Sequence, residues 1–121
     1  MNGDNSEKIR QRMAAWNLFS RMTKDELDER LPAGAMLHPQ GKHPVPMAFI
    51  TSDKMVGMIL YQAANIDGYV TLSVSEIARR TLLSDRTVRD ALKKLIAARI
   101  IKINKSGNVL GTATGYKVRY K

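Results

Sequence analysis

The stretch Leu72-Ser-Val-Ser-Glu-Ile-Ala-Arg-Arg-Thr-Leu-Leu-Ser-Asp-Arg-Thr-Val-Arg-Asp-Ala-Leu-Lys-Lys-Leu-Ile-Ala-Ala-Arg-Ile-Ile101 decides the reading of this chain. Ser73 and Glu76 have capping-box spacing, so the hydroxyl is expected to accept from the Glu76 amide while the carboxylate returns to the Ser73 amide. A short helix carrying Ile77, Ala78, Arg79 and Arg80 opens there and ends near Thr81-Leu82-Leu83. Ser84 caps the next helix. A turn this short brings two helices together at a steep angle. The second helix, 84–98, puts Val88, Ala91, Leu92, Leu95 and Ile96 on one side. Asp85, Arg86, Arg89, Asp90 and Lys93 fall on the other.

Downstream, Ile100 to Asn104 and Tyr116 to Lys121 alternate apolar with polar residues, as a half-exposed antiparallel pair does. Ile101 and Ile103 are expected to face inward with Tyr116, Val118 and Tyr120, and a Gly-rich tip, 105–115, joins the strands. Upstream, Tyr69 to Leu72 reads as a short strand. Before it, Ser52 is placed to cap a helix whose apolar face is Val56, Ile59, Leu60 and Ala63, with Met55, Met58 and Tyr61 beside it. All four prolines fall between residues 32 and 46 with Gly34 and Gly41, which marks a loop or arm. The chain opens with a helix over 6–22, capped by Ser6, whose stripe of Ile9, Met13, Trp16 and Phe19 needs a partner. Thr23 caps a short helix that Pro32 stops. The expected organisation is an N-terminal helical extension (1–31), a Pro/Gly-rich loop or arm (32–51) and a third segment (52–121).

This order of elements resembles the winged helix-turn-helix family. Its texture is that of helix-turn-helix domains from plasmid and phage replication proteins and bacterial transcriptional regulators: a Ser-capped helix with Ile77-Ala78, the run Ser84-x-x-Thr87-Val88, an Ala/Leu-x-x-Leu repeat and an apolar strand. The resemblance covers 52–121 and implies a mainly α fold with a small β-hairpin, a winged helix-turn-helix with an N-terminal helical extension. One position departs from it. Leu82 stands where the family usually has a left-handed glycine, a substitution that costs about 1 kcal/mol or demands another turn geometry.

The resemblance implies that the second helix enters the major groove of double-stranded DNA, with Ser84, Asp85, Arg86, Thr87 and Arg89 as base readers. An Arg86 to Asp90 pair on a merely solvated helix face is the alternative. Ser75, Arg79, Lys93 and the wing residues Lys105, Thr112 and Lys117 are the phosphate-contact candidates. Ile9, Met13, Trp16 and Phe19 are expected to form a homodimer contact. The leading use is transcriptional regulation at an operator, with origin binding in plasmid replication or maintenance as the alternative and a winged helix for protein contacts as a second one.

Composition agrees with a polyanion partner. The 121 residues hold 20 Lys and Arg against 11 Asp and Glu, a net charge of +9. Residues 1–67 carry eight of each sign, whereas 68–121 carry twelve basic side chains and three acidic, so the whole excess lies in the third segment. Cysteine is absent, which excludes disulfides, thiolate zinc sites and cysteine nucleophiles. His38 and His43 flank a Pro/Gly loop without a third ligand nearby, so no metal is expected. The tyrosines read as core residues rather than nucleophiles, and neither catalysis, a cofactor nor a small-molecule ligand is expected. With no apolar run near the roughly 18 residues of a spanning helix and no signal-like N-terminus, the expectation is a cytoplasmic protein without a membrane partner.

Overall fold

The computed structural model describes residues 3–38, 40–41, 43–105 and 114–118. The fold is mainly helical with small β elements: α1 (Gly3–Arg21), α2 (Lys24–Glu29), β1 (Met36–Leu37), β2 (Val45–Pro46), α3 (Thr51–Ala63), β3 (Tyr69–Leu72), α4 (Val74–Thr81), α5 (Asp85–Ala97), β4 (Ile101–Lys105) and β5 (Thr114–Val118).

Helix α1 starts upstream of Ser6, which therefore does not cap it. Thr23 does cap α2: its hydroxyl accepts from the Glu26 amide at 3.2 Å and its own amide donates to the Glu26 carboxylate at 3.0 Å. Those bonds hold the Glu26 carboxyl below its ordinary value, the backbone bond from Thr23 contributing most. At α3 the expectation fails by two residues. Ile50, not Ser52, is the N-cap, and its amide donates to Asp53 Oδ2 at 2.7 Å. A carboxylate at the third helical position thus supplies the acceptor that Ser52, already inside the helix, does not.

The buried face of α3 is also rotated from the expected one. Val56, Gly57, Leu60 and Tyr61 are buried, Ile59 is half-buried and Ala63 is exposed. The reason is Gly57. A Cβ there would lie 2.4 Å from Phe19 Cζ, so only glycine lets the Phe19 ring reach the helix backbone. Phe19 then stacks on Tyr61 with centroids 5.2 Å apart. Helix α1 is joined in this way to the same core as Leu60, Ile77, Val88, Leu95, Ile101 and Val118.

Segment 32–51, expected as loop or arm, contains a small antiparallel hairpin in which Met36 faces Pro46 and Leu37 faces Val45. Phe49, buried in the core, anchors its far end. The Phe49 amide donates to Asp28 Oδ1 at 2.7 Å, and together with the Lys24 ammonium, the larger influence, it keeps the Asp28 carboxyl low.

Strands β3, β5 and β4 form one antiparallel sheet with β5 in the centre. Ile101, Tyr116 and Val118 face inward as expected, and burial raises the Tyr116 hydroxyl above its ordinary pKa. Ile103 does not: it is half exposed, at the irregularity that shifts the register between Ile103 and Lys105 and turns the strand off the core. Tyr120 and the tip between the strands lie outside the described residues.

Candidate nucleic-acid interface

Three local devices set α5 against α4. Ser73 caps α4 by accepting from the Glu76 amide at 3.0 Å. The reciprocal half of the expected box is missing, because the Glu76 carboxylate turns to Arg79 at 2.5 Å and Arg80 at 2.7 Å. Two guanidinium groups outcompete one backbone amide for the same oxygens, and they hold the Glu76 carboxyl below its ordinary value. Leu82 then closes α4 in the left-handed region at φ 62°, with its side chain 92% exposed. The turn keeps its glycine-like geometry without a glycine. Ser84 opens α5 by accepting from the Thr87 amide at 3.1 Å, and its hydroxyl donates to Thr87 Oγ1 at 2.9 Å.

Helix α5 therefore presents one face to solvent. Ser84, Asp85, Arg86, Arg89 and Lys93 are exposed and Thr87 is half-buried. Arg86, Arg89 and Lys93 recur at i, i+3 and i+7, one side of a helix, and none forms an ion pair among the described residues. The expected competitor for Arg86, Asp90, is turned away. Its Oδ1 lies 3.1 Å from His38 Nε2 on the 32–50 segment, both atoms being buried and neither having a hydrogen-bond partner among the described residues.

The phosphate candidates divide. Ser75 is exposed on the first turn of α4, and Lys93 extends the α5 face. Arg79 is exposed but held by Glu76. Lys117 is half-buried, with Nζ 5.0 Å from the centre of the Tyr69 ring across the β3 to β5 pair. The Lys105 side chain and Thr112 lie outside the described residues. Among the expected dimer residues, Ile9 and Met13 are exposed and Trp16 is half-buried against the core. Phe19 departs from that group: it is 2% exposed, taken up by the Gly57 notch and unavailable to a second chain.

Two residues that sequence reasoning passed over organise this surface. Lys94, next to the exposed Lys93, is buried and donates to Asp53 Oδ2 at 2.8 Å and to the Ala48 carbonyl at 3.0 Å. Asp53 is 1% exposed and also accepts the Ile50 amide. One ion pair thus fixes α5 to the start of α3 and to the end of the hairpin segment. A signal for it was present, since Asp53 is the sole acid between Glu29 and Asp67.

Among the described residues no cluster of three or more His, Asp or Glu could hold a metal ion, and no helix is long and apolar enough to cross a membrane. Residues 51–101 match a protein family described as a helix-turn-helix domain. A helix-turn-helix domain is present. It runs from the start of α3 to the first residue of β4 and takes in the whole exposed face of α5. No curated protein and no solved structure matches the chain. A helix-turn-helix domain points to contact with nucleic acid, and the surface on which to look for that contact is the α5 face.

Proposed function

We propose that this chain is a winged helix-turn-helix protein that reads a specific double-stranded DNA site as a cytoplasmic homodimer and regulates transcription from an operator. The observation that carries the reading is the row Arg86, Arg89 and Lys93, exposed on α5 without an ion pair among the described residues. Unpaired guanidinium groups near the start of a recognition helix can bridge guanine O6 and N7 with no internal partner to give up. Lys93, farther along, suits a phosphate. The antiparallel β4 and β5 that follow α5 support the wing. Ile9 and Met13, 46% and 60% exposed on one side of α1, support the homodimer, as does the groove of about 300 Å³ lined by Arg12, Met13, Trp16, Asn17, Tyr61 and Gln62. A two-fold pair built on that helix would offer two α5 faces to one duplex.

Selection from random duplexes at about 0.15 M salt, followed by anisotropy, tests this. The expected result is a two-fold symmetric consensus bound ~10³-fold more tightly than scrambled duplex. Arg86→Ala should relax base preference, at a cost of ~1–3 kcal/mol on the preferred site. Lys93→Ala should weaken all sequences alike and lower the salt slope by about one. Absence of any consensus, with Arg86→Ala indistinguishable from wild type, would overturn the reading.

A further inference from the structure

Segment 32–50 carries a surface that the helix-turn-helix match, 51–101, does not reach. Three contacts seat it beside α5: His38 against Asp90, the Ala48 carbonyl on Lys94, and the Ile50 amide on Asp53, itself bonded to Lys94. On a helix of 3.6 residues per turn, Asp90 lies only about 40–60° around the axis from Arg86 and Lys93. The hairpin end therefore borders the edge of the face that carries these two cations. That end turns tightly, with Gly41 donating to the His38 carbonyl at 2.8 Å and His38 in the left-handed region at φ 52°. Gln40 and His43 are exposed on it.

Its charge is one-sided. Between Glu29 and Asp53 the sequence has no acid at all, while 32–50 holds Lys42 and His43 besides the His38 turned to Asp90. An acid-free hairpin seated along the α5 face fits an anionic surface that continues past the groove occupied by α5.

We infer that the β1 to β2 hairpin is a second DNA-contacting element, which lies on the phosphate backbone flanking the groove and contacts it through Gln40 and His43. This rests on the DNA-reading proposal above. The hairpin lengthens the footprint on one side without reading bases, because phosphates carry no sequence information. The Asp90 contact has a second consequence. It turns the Asp90 carboxylate toward the hairpin and away from Arg86, four residues before it.

The test uses the full chain, its selected duplex with about ten flanking base pairs on each side, and three double variants. Gln40→Glu with His43→Glu should lower affinity at least tenfold at about 0.15 M salt, where charges farther than ~8 Å apart are screened. Gln11→Glu with Ala14→Glu, on the solvent side of α1, adds the same charge elsewhere and should lower it less than threefold. Gln40→Arg with His43→Arg should tighten binding at least threefold, a gain that misfolding cannot produce. Hydroxyl-radical footprints should lose protected phosphates on one flank in the glutamate variant alone. If both hairpin variants track the α1 control while Arg86→Ala still weakens binding, the hairpin inference is overturned and the DNA reading stands. If wild type binds no duplex, both fall.

Discussion

The two flanks of α5 use charge in opposite ways. On the solvent side, Arg86, Arg89 and Lys93 are exposed cations without ion pairs among the described residues. On the side facing the 32–50 segment, Lys94 is buried against Asp53 and Ala48, and Asp90 lies beside His38. Lys93 and Lys94 are neighbours in sequence, yet one step of a helix, about 100°, separates a side chain offered to a partner from one committed to the fold. Net charge by itself does not measure a binding surface. Part of the excess of the 68–121 segment is spent inside the molecule, on Lys94, or tied up on its surface, on Arg79 and Arg80 with Glu76.

The buried pair is the sharpest way to test that contrast. Withdrawing both charges from water costs several kcal/mol per ion, and mutual attraction with two added hydrogen bonds offsets much of it, so the intact pair adds little net stability. Removing one partner is different. Lys94→Ala leaves Asp53 buried with the Ile50 amide alone and should destabilise the fold by ~3–5 kcal/mol in denaturant melts. Lys93→Ala should stay within ~0.5 kcal/mol of wild type. Equal losses from the two would erase the distinction between the flanks.

Gly57 tests the supporting side at a lower magnitude. Gly57→Ala drives a methyl to 2.4 Å from the Phe19 ring, and α1 must move off α3 or the ring must leave its place. Overpacking of this kind should cost ~1–3 kcal/mol, read from urea melts. A variant as stable as wild type would mean that the Phe19 ring does not depend on the Gly57 notch.

These two sides were not equally legible in the sequence. The α5 face follows from local rules: Ser73 and Ser84 as caps, a turn centred on Leu82, and helical periodicity that separates Val88, Leu92 and Leu95 from Arg86, Arg89 and Lys93. Each involves residues within a few positions of one another. The supporting side depends on contacts between distant segments, Asp53 with Lys94 across 41 positions and Phe19 with Gly57, which no periodicity encodes. The same limit explains Ser52, which has an N-cap's identity but loses the role once Asp53 is drawn inward by Lys94. For the hairpin, four prolines and two glycines marked a break in helix and core, and only its seating on α5 showed which surface it extends.

Leu82 gives the smallest expected effect. Its left-handed backbone strains a side chain with a Cβ by ~1–2 kcal/mol, and at 92% exposure it recovers almost nothing from packing. Leu82→Gly removes that strain but gives the unfolded chain more freedom, worth ~0.4–1 kcal/mol in the other direction. The balance is a gain of about 0.5 kcal/mol, measurable as a rise in denaturation midpoint at constant m-value. Such a gain would mean that the turn's geometry is imposed by the caps and packing of α4 and α5, with Leu82 carried along on the exposed side. A loss would mean that an almost fully exposed leucine stabilises the fold, and the division between a solvent-facing surface free of structural duty and a supporting side that bears all of it would fail at the residue where the two helices meet.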